Sequence, residues 1–309
     1  MQHRIPLLAA LALMLASLFW AGNAVVGRGV IELIPPMALS FWRWVVAFLV
    51  ILPFALPRIQ QSAPTLRANW GKLFVLAFLS TTMFNTLLYI AAHTTTAINI
   101  SLINALMPIG IGIMAYVALG SRLSRNQLLG LLVAMPGVVM IITEGRLSVL
   151  LGLQFRPGDL LMITAVMSWA IYTVLLQRFQ IRLDPLVLLT ALIAMALPIT
   201  LAFYVIEWFL LRQPFTPSRE VILAILYVGI FPSLGSYLGW NYGVTAMGSN
   251  RAAMFIYLLP VFSAALSITF LGERLYTYHA VGALLLLIGL YLSTWADARA
   301  RRKRYGPTP

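Results

Sequence analysis

Residues 97–139 and 249–291 are two versions of one stretch, and this repeat limits the possible folds more than any other feature of the chain. At a constant offset of 152, Leu106, Pro108, Leu119, Gly120, Arg122, Leu123, Gly130, Leu132 and Gly137 fall on Leu258, Pro260, Leu271, Gly272, Arg274, Leu275, Gly282, Leu284 and Gly289. Leu and Gly coincide cheaply in apolar sequence. A proline and an LG-x-RL corner held at one unbroken offset do not, and they indicate a duplication. Whatever unit one copy forms, the other must form too.

The environment of that unit follows from composition. The 309 residues are 61% hydrophobic and only 9% charged, whereas a soluble domain carries roughly a quarter charged residues. A bilayer crossing needs about 20 apolar residues. Ten such runs are predicted, at 5–27, 35–56, 71–92, 98–119, 127–143, 159–177, 185–207, 220–243, 252–271 and 280–296. Prolines and charges mark the short connections, among them Pro35-Pro36, Pro57-Arg58, Asp184-Pro185 and the stretch from Pro214 to Arg219. The first run lacks an Ala-x-Ala type of cleavage site and contains Trp20 and Asn23, so it reads as a retained helix rather than a signal peptide.

Lys and Arg set the orientation. With the N-terminus inside, the inner connections and tails hold Arg4, Arg58, Arg67, Lys72, Arg122, Arg125, Arg178, Arg182, Arg251, Arg299 and the run 301–304, and the outer ones hold Arg28, Arg146, Arg156, Arg212, Arg219 and Arg274. Both termini are expected in the cytoplasm, with the basic tail as an anchor. Five helices separate the two copies, an odd number, so the halves must be inverted relative to each other. The expected fold is an all-α membrane protein of ten transmembrane helices, arranged as two inverted five-helix repeats around a central cavity. The divisions are 1–145, an outer connection at 146–158, 159–296 and a basic tail at 297–309. Inverted repeats are a building plan of transporters, which place substrate at the repeat interface near mid-membrane.

The same compositional reading narrows the function. The net charge of +13 is spread over connections and a tail, which argues against nucleic acid. Absence of cysteine removes disulfides, thiolate metal sites and thiol nucleophiles. No grouping of His, Asp and Glu has ligand spacing, so no metal, no cofactor and no enzyme chemistry is expected. All eight acids fall at or near predicted helix ends, against a buried carboxylate proton relay. No continuous polar stripe or charged ring suggests a channel.

Polar and aromatic residues inside the runs are therefore informative. Trp20 and Asn23 in helix 1 match Trp169 and Tyr172 in helix 6 at an offset of 149, and Asn85 and Tyr89 in helix 3 match Tyr237 and Asn241 in helix 8 at 152. Each pair is spaced three or four residues apart and shares a helical face. Such side chains are either interhelical glue or a cavity lining; their placement by the pseudo-symmetry favours the lining. Gly235, Gly239 and Gly243 form a close-packing stripe on helix 8, with Tyr237, Trp240 and Asn241 about half a turn away. Pro108 and Pro260 each remove a backbone donor and free the carbonyls of Asn104 and Ile256. Asn104, Pro108, Tyr257 and Pro260 either line the cavity, where a free carbonyl is tolerated, or mark structural kinks, which as a pair could act as hinges. Arg43 is the one charge well inside a helix, about 12 Å from the outer end. It either binds a substrate carboxylate or clamps helices together. His93 closes the Asn85–Tyr89 face near the outside.

With these residues together, the chain resembles the drug/metabolite transporter superfamily in its ten-helix branch of two EamA domains. The marks are Phe19-Trp20-Ala21-Gly22-Asn23, Arg43, Pro108, the corners at 119–123 and 271–275, and Gly130 with Gly282. The first corner reads LGSRL where the family often has LGERL. The resemblance implies that helices 1, 3, 4, 6, 8 and 9 surround a cavity supported by helices 2, 5, 7 and 10. Within the superfamily the chain is similar to bacterial exporters of amino acids, including aromatic ones. The superfamily also holds sugar-nucleotide, purine and drug carriers, so a proton-coupled exporter of such solutes is the alternative expectation. The expected protein is a carrier in the bacterial inner membrane, a monomer or weak oligomer, whose partners are a small metabolite and the bilayer.

Overall fold

The computed structural model of the chain describes residues 7–30, 32–210, 212, 214–271, 274–297 and 299. Arg4, Gly272, Glu273 and the basic stretch 301–304 lie outside the described residues. Among those described, ten helices are long and apolar enough to cross a membrane. They are α1 (Leu7–Val30), α2 (Pro36–Ala68), α3 (Trp70–Thr94), α4 (Ala97–Leu119), α5 (Arg125–Ile142), α6 (Pro157–Phe179), α7 (Pro185–Phe209), α8 (Arg219–Met247), α9 (Ser249–Phe270) and α10 (Thr277–Ala296). The protein is a multi-pass membrane protein.

Local chemistry explains most helix ends. Pro36, Pro157 and Pro185 occupy first turns, where a missing N–H costs nothing. Ser124 and Gln127 close a reciprocal capping box at the start of α5. Gly120 adopts φ 63° just past α4, the left-handed turn that makes glycine the natural residue of an LG corner. One expectation is corrected. The second helix does not stop at Pro57 but runs through Pro57 and Pro64 to Ala68. Past the hydrocarbon, water can take the carbonyl that a proline orphans, so proline no longer terminates the helix.

The two halves, α1–α5 and α6–α10, pack crosswise. Helix α1 lies against α8 and α9, while α6 lies against α3 and α4. Helices α5 and α10 pair glycine on glycine. A Cβ on Gly130 would meet the Gly289 carbonyl at 2.4 Å, and one on Gly137 would meet the Gly282 carbonyl at 2.7 Å. The repeat equates Gly130 with Gly282 and Gly137 with Gly289, so the contact is a swap of equivalents, as a pseudo-two-fold axis in the membrane plane demands. Helices α2 and α7 obey the same axis. The Glu207 carboxylate accepts the Met37 and Ala38 N–H groups at 2.9 and 2.8 Å at the buried N-terminus of α2, where a helix favours negative charge. At the other end of the pair, Arg58 meets Asp184, the N-cap of α7, at 3.4 Å. Arg58 and Glu207 are themselves repeat-related, 149 residues apart.

The bundle has two ends. The basic end carries the connections α2–α3, α4–α5, α6–α7 and α8–α9; the far end carries the others.

Candidate functional site

Halfway along the bundle, α1, α6 and α8 converge on a cluster of rings. Trp20 stands edge-on to Trp169 at 5.3 Å between centroids and lies 5.5 Å from Trp240. Trp169 also contacts Tyr172 at 5.2 Å, Tyr237 at 5.3 Å and Trp240 at 5.8 Å. Edge-to-face geometry is the favoured arrangement for such rings. Trp169, Tyr172, Tyr237 and Trp240 are all at most 2% exposed, and Trp20 is half-buried. Helix α8 reaches this position because its glycine stripe lets α1 approach. Added Cβ atoms on Gly235, Gly239 and Gly243 would strike Phe19, the Ala12 carbonyl and Leu13 within 2.8 Å.

A polar layer adjoins the rings on the far-end side. Asn85 Nδ2 donates to the Tyr237 hydroxyl at 3.1 Å and to the Ser80 carbonyl at 2.9 Å; the Tyr237 hydroxyl donates to the same carbonyl at 2.9 Å. That carbonyl is available because α3 widens into a π turn over Phe78–Phe84, and α8 does the same over Gly229–Gly235. A π turn shifts the register and re-aims the side chains beyond it, a device common at functional sites. In α8 the freed carbonyl of Val228 accepts from Ser233 Oγ at 2.7 Å. Arg43 ties the layer together. Its Nε donates to Ser233 Oγ at 2.8 Å, and its Nη1 donates to Asn85 Oδ1 at 3.1 Å and the Tyr89 hydroxyl at 2.7 Å. On the basic-end side, the Tyr172 hydroxyl donates to Asn241 Oδ1 at 2.5 Å, and Trp240 Nε1 to Thr173 Oγ1 at 3.3 Å.

The structure thus brings Trp20, Arg43, Asn85, Tyr89, Trp169, Tyr172, Tyr237, Trp240 and Asn241 into one connected group. Asn23 sits one turn from Trp20, half-buried and without a side-chain hydrogen bond. His93 is exposed at the far end and joins none of these contacts. Pro108 and Pro260 break their helices rather than merely bend them. Helix α4 is interrupted at Leu106, whose N–H turns to the Ile103 carbonyl at 3.0 Å, and α9, α-helical over Ser249–Ala253, is interrupted by a tighter 3₁₀ turn at Met254–Tyr257. Ser17 Oγ of α1 satisfies the Phe255 carbonyl at 2.8 Å. Asn104 is half-buried with no side-chain bond, and the Tyr257 hydroxyl is buried without a partner. Trp44, Phe84 and Ser233 belong to the group unpredicted, with Trp44 5.2 Å from Tyr237 and Phe84 5.0 Å from Trp169. Through Arg43 and Trp44, α2 is part of the centre and not only a support.

Two inverted halves that meet on a buried polar-aromatic centre have the plan of a membrane transporter. Residues 7–143 and 156–295 match the EamA-like transporter family, and the chain belongs to that family. It is 27% identical over 284 residues to an uncharacterized transporter of Archaeoglobus fulgidus, covering 92% of this chain and 96% of the relative. It is 28% identical over 258 residues to the uncharacterized transporter YyaM of Bacillus subtilis, covering 82% and 83% of the two chains. A solved crystal structure of a protein with 20% sequence identity superposes with a TM-score of 0.79, covering 94% of this chain and 98% of that one, and shares the fold.

Proposed function

We propose that this transporter is a carrier of the bacterial inner membrane that exports small metabolites, amino acids first among them, by alternating access between its inverted halves. One observation carries the reading: repeat-related residues touch each other at the centre. Trp20 contacts Trp169, and Asn85 contacts Tyr237 across 152 residues of sequence. The candidate site therefore lies on the pseudo-two-fold axis, the one place that stays equivalent when the halves exchange conformations. The basic end, by its Lys and Arg content, faces the cytoplasm. The aromatic surface suits an apolar side chain, and the amides and guanidinium suit a polar head.

The buried carboxylates support movement down the substrate gradient rather than proton exchange. Asp159 is held by Asn99 at 2.8 Å, the Arg156 N–H at 2.8 Å and Thr95; Glu207 caps α2; Asp297 pairs with Arg251 at 3.1 Å and with Ser124. All three lie at helix ends, away from the rings. Uptake of labelled amino acids into liposomes holding the purified protein is expected to saturate without a pH gradient. Trp169→Ala and Tyr237→Ala should each lower that flux at least about tenfold, the effect of losing a large buried contact worth more than about 1.4 kcal/mol. Both should keep a cooperative thermal transition. Wild-type flux in both variants would withdraw the assignment of the centre.

A further inference from the structure

Arg43 lies 1% exposed, seven residues into α2, and its guanidinium sits 5.0 Å from the centroid of the Trp44 ring. All three of its hydrogen-bond acceptors are neutral. Among the described residues no carboxylate pairs with it, since the ion pairs formed are Arg58–Asp184, Arg146–Glu144 and Arg251–Asp297. Asp159 and Glu207 are engaged at helix ends, as described above. A helix clamp needs hydrogen bonds, which an amide supplies at far lower cost than a buried cation. The charge itself is left without a structural task.

The surroundings are rich in unused donors. Ser40 Oγ, one turn before Arg43 on the same face of α2, is buried without a partner, and so are Trp44 Nε1 and the hydroxyls of Thr82 and Thr86 on either side of Asn85. Among the described residues no anionic side chain balances this layer. Tyr89 is the only incompletely buried acceptor of the three, so it is the one a ligand oxygen can displace. Exchanging a neutral hydroxyl for a carboxylate gives shorter bonds of about twice the strength, in the bidentate geometry that guanidinium favours.

We propose that Arg43 is the anion subsite of the carrier: substrate sets a carboxylate against Arg43 and lays an apolar, ring-bearing body against Trp169 and Tyr237. The inference rests on the transport reading above and narrows its substrate class. The recognised group is the carboxylate, and an α-ammonium is not required, because no carboxylate among the described residues stands near the rings to receive one. Amino acids enter through their carboxylate, and ring-bearing monocarboxylic acids without an amine bind at least as well.

Three ligands with the same ring separate the charges: 3-phenylpropionate, phenylalanine and phenethylamine. Each is titrated against the full chain in nanodiscs, read by tryptophan fluorescence. The expected order is phenylpropionate equal to or tighter than phenylalanine, with phenethylamine weaker by about 30-fold or more, the scale of losing a buried charge pair. Arg43→Gln should weaken both carboxylates by about 30-fold or more, and Arg43→Lys should weaken them less, since it keeps the charge but not the fork. Phenethylamine binding as tightly as phenylpropionate overturns the proposal, and this arm needs no variant to fold. Wild-type affinity for phenylpropionate in a folded Arg43→Gln protein overturns it too. Trp169→Ala separates the two readings. Binding lost there but kept in Arg43→Gln leaves the ring centre standing and reduces Arg43 to a clamp. Binding kept in Trp169→Ala but lost in Arg43→Gln keeps the subsite and removes the ring centre.

Discussion

The Tyr237 side chain does two separable jobs, one through its ring and one through its hydroxyl. The ring packs edge-on to Trp44 and Trp169, and the hydroxyl links Asn85 to the Ser80 carbonyl. Tyr237→Phe keeps the first and deletes the second, leaving buried groups one partner short at about 1–3 kcal/mol. A lower thermal midpoint with the rings still packed, seen as retained near-ultraviolet dichroism, is the expected result; an unchanged midpoint would show the hydroxyl network to be dispensable. At this scale the sequence was readable where a polar atom forces a side chain inward. Asn85, Tyr172 and Asn241 were found that way, and the repeat then supplied Trp20 and Trp169. Trp44 and Phe84 were not found, because an indole or phenyl ring is equally at home against lipid, and nothing apolar fixes the rotation of a helix in a bilayer. The Ser80 carbonyl leaves no trace in side-chain identity at all.

Elements show the same division. Glycine and proline wrote themselves into the sequence: the stripe on α8 and the breaks in α4 and α9 fall where spacing put them, whereas the repeated glycines of α5 and α10 mark the duplication without stating that the two helices pair. The π turns did not, since no residue type demands a wider turn, and their presence in both α3 and α8 emerges only from backbone hydrogen bonds. The overrun of α2 past Pro57 was missed because a proline's effect depends on whether water is near, which sequence does not state. The glycine pairs make a sharp prediction. Gly289→Ala would drive a Cβ to 2.5 Å from the Gly130 carbonyl and 2.7 Å from the Ala134 Cβ. Backbone cannot yield as a side-chain tip can, so α5 and α10 must separate, at the overpacking cost of about 1–3 kcal/mol. Gly29→Ala, where nothing lies within 4 Å, should leave the thermal midpoint unchanged. Equal midpoints for the two variants would mean that the α5–α10 contact contributes nothing to stability.

Across the whole molecule the pseudo-symmetry is broken in one informative place. The repeat relates Tyr172 to Asn23 and Asn241 to Tyr89. At the basic end Tyr172 and Asn241 are hydrogen-bonded. Their counterparts at the far end are not: Tyr89 is taken by Arg43, and Asn23 has no side-chain bond. The basic end is further sealed by the Trp240–Thr173 bond and by the Ser249 N–H on Gln177 Oε1 at 2.8 Å. At the positions related to Thr173 and Trp240 stand Ala24 and Leu88, which cannot copy their bond. Inverted repeats alternate by exchanging conformations, so the opposite state should join Asn23 to Tyr89 and part Tyr172 from Asn241. The chain has no cysteine, so introduced pairs are its only thiols. Cysteines at 172 and 241 should cross-link in the state described here, and cysteines at 23 and 89 only when the basic end opens. Each cross-link should stop the flux that the reduced double-cysteine protein supports, and reduction should bring that flux back. A substrate that drives the cycle should slow the first cross-link and speed the second. If both pairs cross-link at the same rate with and without substrate, the asymmetry is a fixed property of two diverged halves, and the exchange mechanism fails.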